Sequence, residues 1–208
     1  MSHRLTVPIT ALALALLLTG CGLMLPEPAE TPRTYSLSWN PDDRPRAEDP
    51  IAGAVRIMPT QAQPGYTSTA MRYRRDDWEL QRFAHHKWVE PPARMLTPAL
   101  VTALEHDGPF EQVVHGSGVV STPLRLHTEL ERLEHRFEDD DDPGRVLLTL
   151  RLQLLDGDAG RVVTTQRFHA EVPADTRDPV AGARAANLAL AELLPQITDH
   201  LRESLESR

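Results

Sequence analysis

Residues 146–155 read Val146-Leu147-Leu148-Thr149-Leu150-Arg151-Leu152-Gln153-Leu154-Leu155. Val146, Leu148, Leu150, Leu152 and Leu154 recur at every second position. Successive strand side chains point to opposite faces, so this set forms one apolar face of a strand. Turn chemistry bounds it on both sides: the acidic run 139–142 with Pro143-Gly144, and Asp156-Gly157-Asp158-Ala159-Gly160. Upstream, Leu124, Leu126, Thr128 and Leu130 alternate with Arg125, His127 and Glu129. Downstream, Val162, Thr164, Gln166 and Phe168 run back. Three long strands joined by turns give the fold its sheet.

Moving outward, the period changes to three and four. Asp178-Pro179 predicts a helix start, with Asp as the cap and Pro at the first helical position. Leu190, Leu194, Ile197, Leu201 and Leu205 continue it as one apolar stripe, and Pro195 is expected to kink or divide it. Before the strands, Leu96, Leu100, Ala103 and Leu104 form a second helical stripe, ended by His106-Asp107-Gly108-Pro109. Pro98 leaves two starts for that helix: a Thr97 cap with Pro98 first, or an earlier turn kinked at Pro98. Phe110 to His115 reads as a short strand. Nearer the N-terminus, Tyr35 to Trp39 and Ala54 to Met58 read as strands. Pro64-Gly65-Tyr66 reads as a turn. Ala70 to Arg74 and Trp78 to Phe83 read as a hairpin about Asp76-Asp77, in which Met71 and Tyr73 can face Leu80 or Trp78. The residues from His85 lead into the helix. The expected fold class is α+β: a single domain, with a largely antiparallel sheet and two main helices packed on it.

The first 33 residues have another character. Arg4, an apolar run from about Ile9 to Leu18, and small Thr19-Gly20 give the layout of a secretory signal over residues 1–20. The run is short for a transmembrane helix, which needs about 20 residues. Leu18-Thr19-Gly20-Cys21 resembles the lipobox of bacterial lipoproteins, whose cysteine carries a diacylglycerol and an N-acyl chain. Cys21 is the single cysteine of the 208 residues, so it has no intramolecular disulfide partner. Two or three acyl chains anchor a protein durably, where one gives only marginal binding. Residues 21–33 then read as the lipidated Cys and a Pro-rich tether, with Pro26, Pro28 and Pro32 favouring extended conformations. Residues 34–208 form the folded domain. In the lipoprotein family an Asp after the cysteine retains the protein at the inner membrane. Gly22 stands there, so the resemblance implies the periplasmic face of the outer membrane.

Charge narrows the partners. Without residues 1–20 the chain has 21 Lys+Arg against 30 Asp+Glu, a formal charge of −9. That excludes nucleic acid and electrostatic docking to anionic lipid as leading roles. No catalytic cluster stands out. His115-Gly116-Ser117-Gly118 lacks the glycine that a nucleophile elbow needs two residues before the serine. Nine histidines suggest metal, yet no H-x-x-x-H or cysteine partner completes a tetrahedral set. His85 and His86 are adjacent and face opposite ways on a strand. His127 and His135 fall on a polar, charged strand and read as solvated or locally hydrogen-bonded. Asp139 to Asp142 lacks the spacing and terminal Glu of a calcium loop, so no metal site is expected.

One segment carries positive charge and aromatics together: Arg72, Tyr73, Arg74, Arg75, Trp78, Arg82, Lys87 and Trp88. Such a segment is either a solvated strand face with core aromatics, or a docking patch for a partner or a lipid headgroup. The candidate partner-binding residues are Arg72, Tyr73, Arg74, Arg75, Trp78 and Trp88. The run Phe83-Ala84-His85-His86-Lys87-Trp88-Val89-Glu90-Pro91-Pro92-Ala93-Arg94-Met95-Leu96 follows. With Cys21, Tyr35 and Leu37, Val55 to Pro59, Pro64-Gly65, and Met71 to Arg74, it resembles the PqiC-like ABC-type transport auxiliary lipoproteins. The resemblance implies a role beside an MCE-domain protein and its ABC transporter, moving lipids or other hydrophobic molecules between the inner and outer membranes. It carries no catalytic residues, so no enzyme activity is expected. It implies no cofactor beyond the covalent diacylglycerol and N-acyl chain on Cys21. The alternatives are an independent lipid-binding carrier or a structural envelope-assembly lipoprotein. The oligomeric state is open, with a homo-oligomer among the options.

Overall fold

The computed structural model describes residues 31–41, 49–116, 122–139 and 141–207. The signal and lipobox, most of the tether, and Ser117-Gly118 lie outside the described residues. The elements in order are β1 (Arg33–Tyr35), β2 (Ala52–Ile57), β3 (Gln61–Ala62), a 3-10 turn (Pro64–Tyr66), β4 (Ala70–Arg74), β5 (Gln81–Trp88), α1 (Pro92–Asp107), β6 (Phe110–His115), β7 (Leu124–Arg136), β8 (Arg145–Asp156), β9 (Arg161–Pro173) and α2 (Pro179–Glu206). This is the expected α+β domain with two helices on one sheet.

β7 is the trunk of the sheet. One edge pairs antiparallel with β8 from Leu124↔Asp156 to Arg136↔Arg145, and β8 pairs antiparallel with β9. The other edge is shared by three short strands, all parallel to β7: β2 at Leu124–Leu126, β3 at Glu129 and Leu130, and β4 at His135 and Arg136. From β2 the sheet continues to parallel β6, and from β4 to antiparallel β5 and then parallel β1. The longest ladders are antiparallel as expected, but the sheet is mixed. Strand period reports which face is buried, not which neighbour a strand chooses. The crossovers that make β2, β3 and β4 parallel to β7 leave no mark on it.

The register of β7 shifts between Leu130 and Arg132, a bulge at Glu131. A bulge inserts one residue and turns the following side chains to the other face. Before it, Leu124, Leu126, Thr128 and Leu130 are buried; after it, Leu133 and His135 are. For the two histidines, what differs from the expected polar strand face is the burial of His135. His127 is exposed, but His135 is buried at 3% exposure and faces α2. Its Nε2 donates to the Pro143 carbonyl at 2.9 Å, the local hydrogen bond that was expected.

Several boundaries move for identifiable reasons. β1 stops at Tyr35 because the next residues turn onto α2. The Asn187 side-chain amide donates to the Ser36 carbonyl and its Oδ1 accepts from the Ser38 amide at 2.8 Å. β5 starts at Gln81 rather than Trp78, because Asp76 Oδ1 takes the Trp78 and Glu79 amides into a turn. It then runs through His85 and His86 to Trp88. Tyr73 pairs with Gln81 and packs its ring on Phe83, 4.6 Å away, not on Trp78 or Leu80. α1 begins at Pro92, with Pro98 inside, so the earlier turn is helical. The Thr97 hydroxyl bonds back to the Ala93 carbonyl and across to Thr60.

Of the kink or division expected at Pro195, the division does not occur: α2 is a single helix across it. Leu193, Leu194 and Ile197 are fully buried around the proline, so core packing outweighs one missing helical hydrogen bond. The cap is as expected: Asp178 Oδ1 accepts from the Val180 and Ala181 amides at 2.7 and 3.0 Å. Its carboxyl lies below the usual range, mainly through the Thr176 hydroxyl and then the Ala181 amide. Asp178→Ala is expected to cost about 1 kcal/mol, the usual loss for a removed cap. Urea unfolding followed by circular dichroism checks it: the midpoint should fall with the m-value unchanged.

His135 supplies a pH dependence. Burial chiefly lowers its pKa, Arg177 adds to that, and the Pro143 bond opposes it. Its Nδ1 has no partner, and α2 passes so close that a Cβ at Gly182 would lie 2.8 Å from it. The fold therefore holds the neutral imidazole. The unfolded chain takes up the proton at about pH 6.5, and the folded chain only below that. Stability is full above about pH 6.5 and falls as pH drops below it. The carboxyls of Asp142, Glu171 and Asp178 are lowered and act below about pH 4. Thermal melts across this range should show a slope beginning just below about pH 6.5 in the native chain. His135→Gln should flatten it.

Candidate functional site

The Arg- and aromatic-rich segment folds into β4, the turn after it, and β5. Most of its side chains are spent inside the protein. The 3-10 turn at Pro64-Gly65-Tyr66 sits beside β4, and Arg72 Nε donates to the Gly65 carbonyl at 3.0 Å. Gly65 packs closely there: a Cβ would lie 2.9 Å from Leu80 Cδ2, so a larger residue would push the tip of that side chain aside. The turn brings the Tyr66 hydroxyl to Glu134 Oε2, to which it donates at 2.6 Å. Arg74 Nε donates to Glu134 Oε1 at 3.2 Å, and Arg132 Nε stands 3.9 Å from the same oxygen.

Glu134 is 2% exposed, a buried carboxylate that no sequence pattern announced. Its neighbours explain why it is tolerated, since a buried charge needs a partner and satisfied lone pairs. Burial, and next the hydrogen bond with Glu134, raise the Tyr66 pKa well above its usual value, so its hydroxyl stays a donor. A signal was present in hindsight: Tyr66, Arg74 and Glu134 are the groups a buried ion pair needs, but they are separated by up to 68 residues.

Of the six candidate partner-binding residues, four have internal roles. Arg72 holds the turn, and Arg74 holds Glu134. Tyr73 packs on Phe83 and lies 6.0 Å from Phe137. Trp88 is 3% exposed and belongs to the core, so it is corrected as a contact residue. The β-strand position of Trp88 puts it on the inner face, which alternation alone did not reveal while its segment was read as a helix lead. The two residues left on the outside are Arg75 and Trp78, both at the β4–β5 turn. Trp78 is 84% exposed.

The face of the sheet away from the helices is a neutralised polar surface. Arg167 binds Glu131 at 2.6 Å, and Arg145 reaches both Glu138 and Glu171. These exposed pairs contribute little to stability. Between sheet and helix the packing is nearly complete. Among the described residues a small cavity of about 10 Å³ lies among Trp88, Leu133, Val146 and Ala186, the room of one water. A shallow open groove of about 720 Å³ lies between β1 and the first half of α2, lined by Tyr35, Val180, Ala183 and Leu188. Among the described residues no three His, Cys, Asp or Glu side chains could hold a metal ion. No helix among them is long and apolar enough to cross a membrane.

Comparison with known proteins agrees with this architecture. A protein from Xanthomonas campestris, of family DUF330, superposes with a TM-score of 0.68 at 21% identity, covering 86% of this chain and 95% of that one. A protein from Chlamydia trachomatis gives 0.51 at 8% identity, covering 76% of this chain and all of the other. At these identities the likeness is one of fold. No curated protein matches the chain. The model of one family, the ABC-type transport auxiliary lipoprotein component, matches residues 35–198, from the first strand to the last third of α2. The chain belongs to the ABC-type transport auxiliary lipoprotein family.

Proposed function

We propose that this protein is a docking lipoprotein of an MCE-type ABC transport system that moves lipids or other hydrophobic molecules between the inner and outer membranes. Diacylglycerol and an N-acyl chain on Cys21 anchor it to the periplasmic face of the outer membrane. The family supports the transport role, and the lipobox-like Leu18-Thr19-Gly20-Cys21 supports the anchor. In this reading the domain receives or positions the MCE-domain protein and performs no catalytic step itself.

The observation that favours docking over an independent carrier is the filled interior. A carrier would shelter an acyl chain, and a void that admits even a benzene ring is about 150 Å³. Among the described residues the cavity between sheet and helix is about 10 Å³, and the larger groove beside β1 is open to solvent and encloses no chain. Cells lacking the protein should therefore show slowed exchange of labelled phospholipid between the two membranes, restored by the wild-type chain and not by Cys21→Ala. Full restoration by the unanchored variant would remove the anchor from the account. Copurification of the folded domain with stoichiometric lipid would favour the carrier instead.

A further inference from the structure

We propose that the β4–β5 turn, led by Trp78, rests in the zwitterionic headgroup layer of the membrane that carries the anchor. The proposal rests on the reading of Cys21 as the lipidated residue.

The first support is how Trp78 is presented. Asp76 Oδ1 accepts from the Trp78 and Glu79 amides at 3.2 and 2.8 Å. Arg74 Nη1 donates to the Asp77 carbonyl at 2.7 Å. Arg136, on the neighbouring β7, donates to Asp77 Oδ1 at 2.7 Å and to the Asp76 carbonyl at 3.2 Å. The turn is thus tied to two strands, and it holds the indole out at 84% exposure. The indole is a large apolar body with one N–H donor, a combination that favours the boundary between hydrocarbon and water.

The second support is where the chain leaves the fold. β1 is parallel to β5, with Arg33 opposite His86 and Tyr35 opposite Trp88. Moving upstream from Arg33 therefore means moving back along β5, toward Gln81 and the turn that bears Trp78. The chain leaves β1 heading toward that end, from a point five residues along β5 from Gln81. From Cys21 to Pro32 is eleven residue steps, which span at most about 40 Å. An anchor on so short a lead keeps this end within reach of the bilayer.

Charge selects the kind of surface. Arg74, Arg75 and Arg136 stand against Asp76, Asp77 and Glu79, so the turn itself is balanced. The β7–β8 turn lies at the same end, because β4 and β7 run parallel, and it carries Glu138, Asp139 and Asp141. Those acids disfavour an anionic lipid layer. A zwitterionic one admits the indole without that repulsion.

The test uses the full lipidated protein in vesicles of phosphatidylethanolamine and brominated phosphatidylcholine. Trp88 is buried and Trp39 is half-buried against the core, so Trp78 is the tryptophan most open to lipid bromine. Flotation first establishes that the protein is held. The wild type should then lose tryptophan emission to the bromolipid, and Trp78→Ala should lose far less. Exchanging phosphatidylethanolamine for phosphatidylglycerol should reduce the quenching. Equal quenching of both proteins, or none in either while both float, overturns the proposal and leaves the anchor intact. Failure of the wild type to float, with Cys21→Ala indistinguishable from it, overturns the anchor and this proposal with it. A crosslinker placed at residue 78 that captures the MCE-domain protein and no lipid would also overturn it.

Discussion

Arg74→Ala is expected to destabilise the domain by about 3 kcal/mol, although Arg74 looks like a surface cation of a docking patch. Its guanidinium is the close cationic partner of Glu134, a side chain with 1% exposure. Removing one member of a buried pair leaves the other charge uncompensated, at a typical cost of about 3–5 kcal/mol. The low end applies here, because Tyr66 still donates to Glu134 and Arg132 remains 3.9 Å away. The same substitution also frees the Asp77 carbonyl at the hairpin turn. For a domain of this size each kcal/mol shifts the melting temperature by about 2–4 °C, so a drop of roughly 6–12 °C should appear by calorimetry. Trp78→Ala is the control and should stay within about 0.5 kcal/mol of wild type, as exposed substitutions do. An Arg74→Ala protein with wild-type stability would mean that Glu134 is not a buried partner. The comparison also guards functional work: loss of partner capture in Arg74→Ala would report a weakened fold before it reported a lost contact.

Leu150→Ala should cost as much or more, about 3–4 kcal/mol. Leu150 sits mid-strand in β8, between Leu130 on β7 and Phe168 on β9, with no exposed surface. It belongs to the one core that joins both helices to the sheet. Truncation removes the transfer free energy of three carbons and leaves a cavity that strand neighbours on both sides cannot close. Leu→Ala changes at such sites cost about 2–5 kcal/mol. Urea titration should show a large fall in midpoint. Leu155→Ala, at a half-buried position near the hairpin end, should show much less. Equal effects at the two sites would contradict the placement of the core.

Much of this fold could be read from the chain because period and burial obey the same geometry. The leucines of residues 146–154, the Asp178-Pro179 start and the Leu96–Leu104 stripe all fall where alternation or helical spacing puts them. The larger errors share a cause as well: strand pairing and side-chain partners are set by neighbours that local period does not report. One bulge at Glu131 reverses the facing of His135, and nothing local marks it. The parallel neighbours of β7 come from crossovers. Trp88 and Arg74 carry the same chemistry whether they face a partner or the interior, and for Arg74 it is Glu134, 60 residues beyond it, that decides. The resemblance run from Met71 to Leu96 is in large part scaffold. It builds the hairpin, starts α1 at Pro92, and places Met95, whose sulfur accepts from the Leu37 amide. The anchor, by contrast, is legible in the sequence alone, since Cys21 lies outside the described residues.

The central claim is that an anchored lipoprotein docks an MCE-type transporter. The direct measurement is in-membrane crosslinking followed by affinity capture of the intact protein from its native membranes, with Cys21→Ala alongside. The account predicts recovery of an MCE-domain protein with the wild type, and its loss or marked reduction with the unanchored variant. Capture of no transporter component by the anchored protein, with lipid bound to the domain in its place, would contradict it.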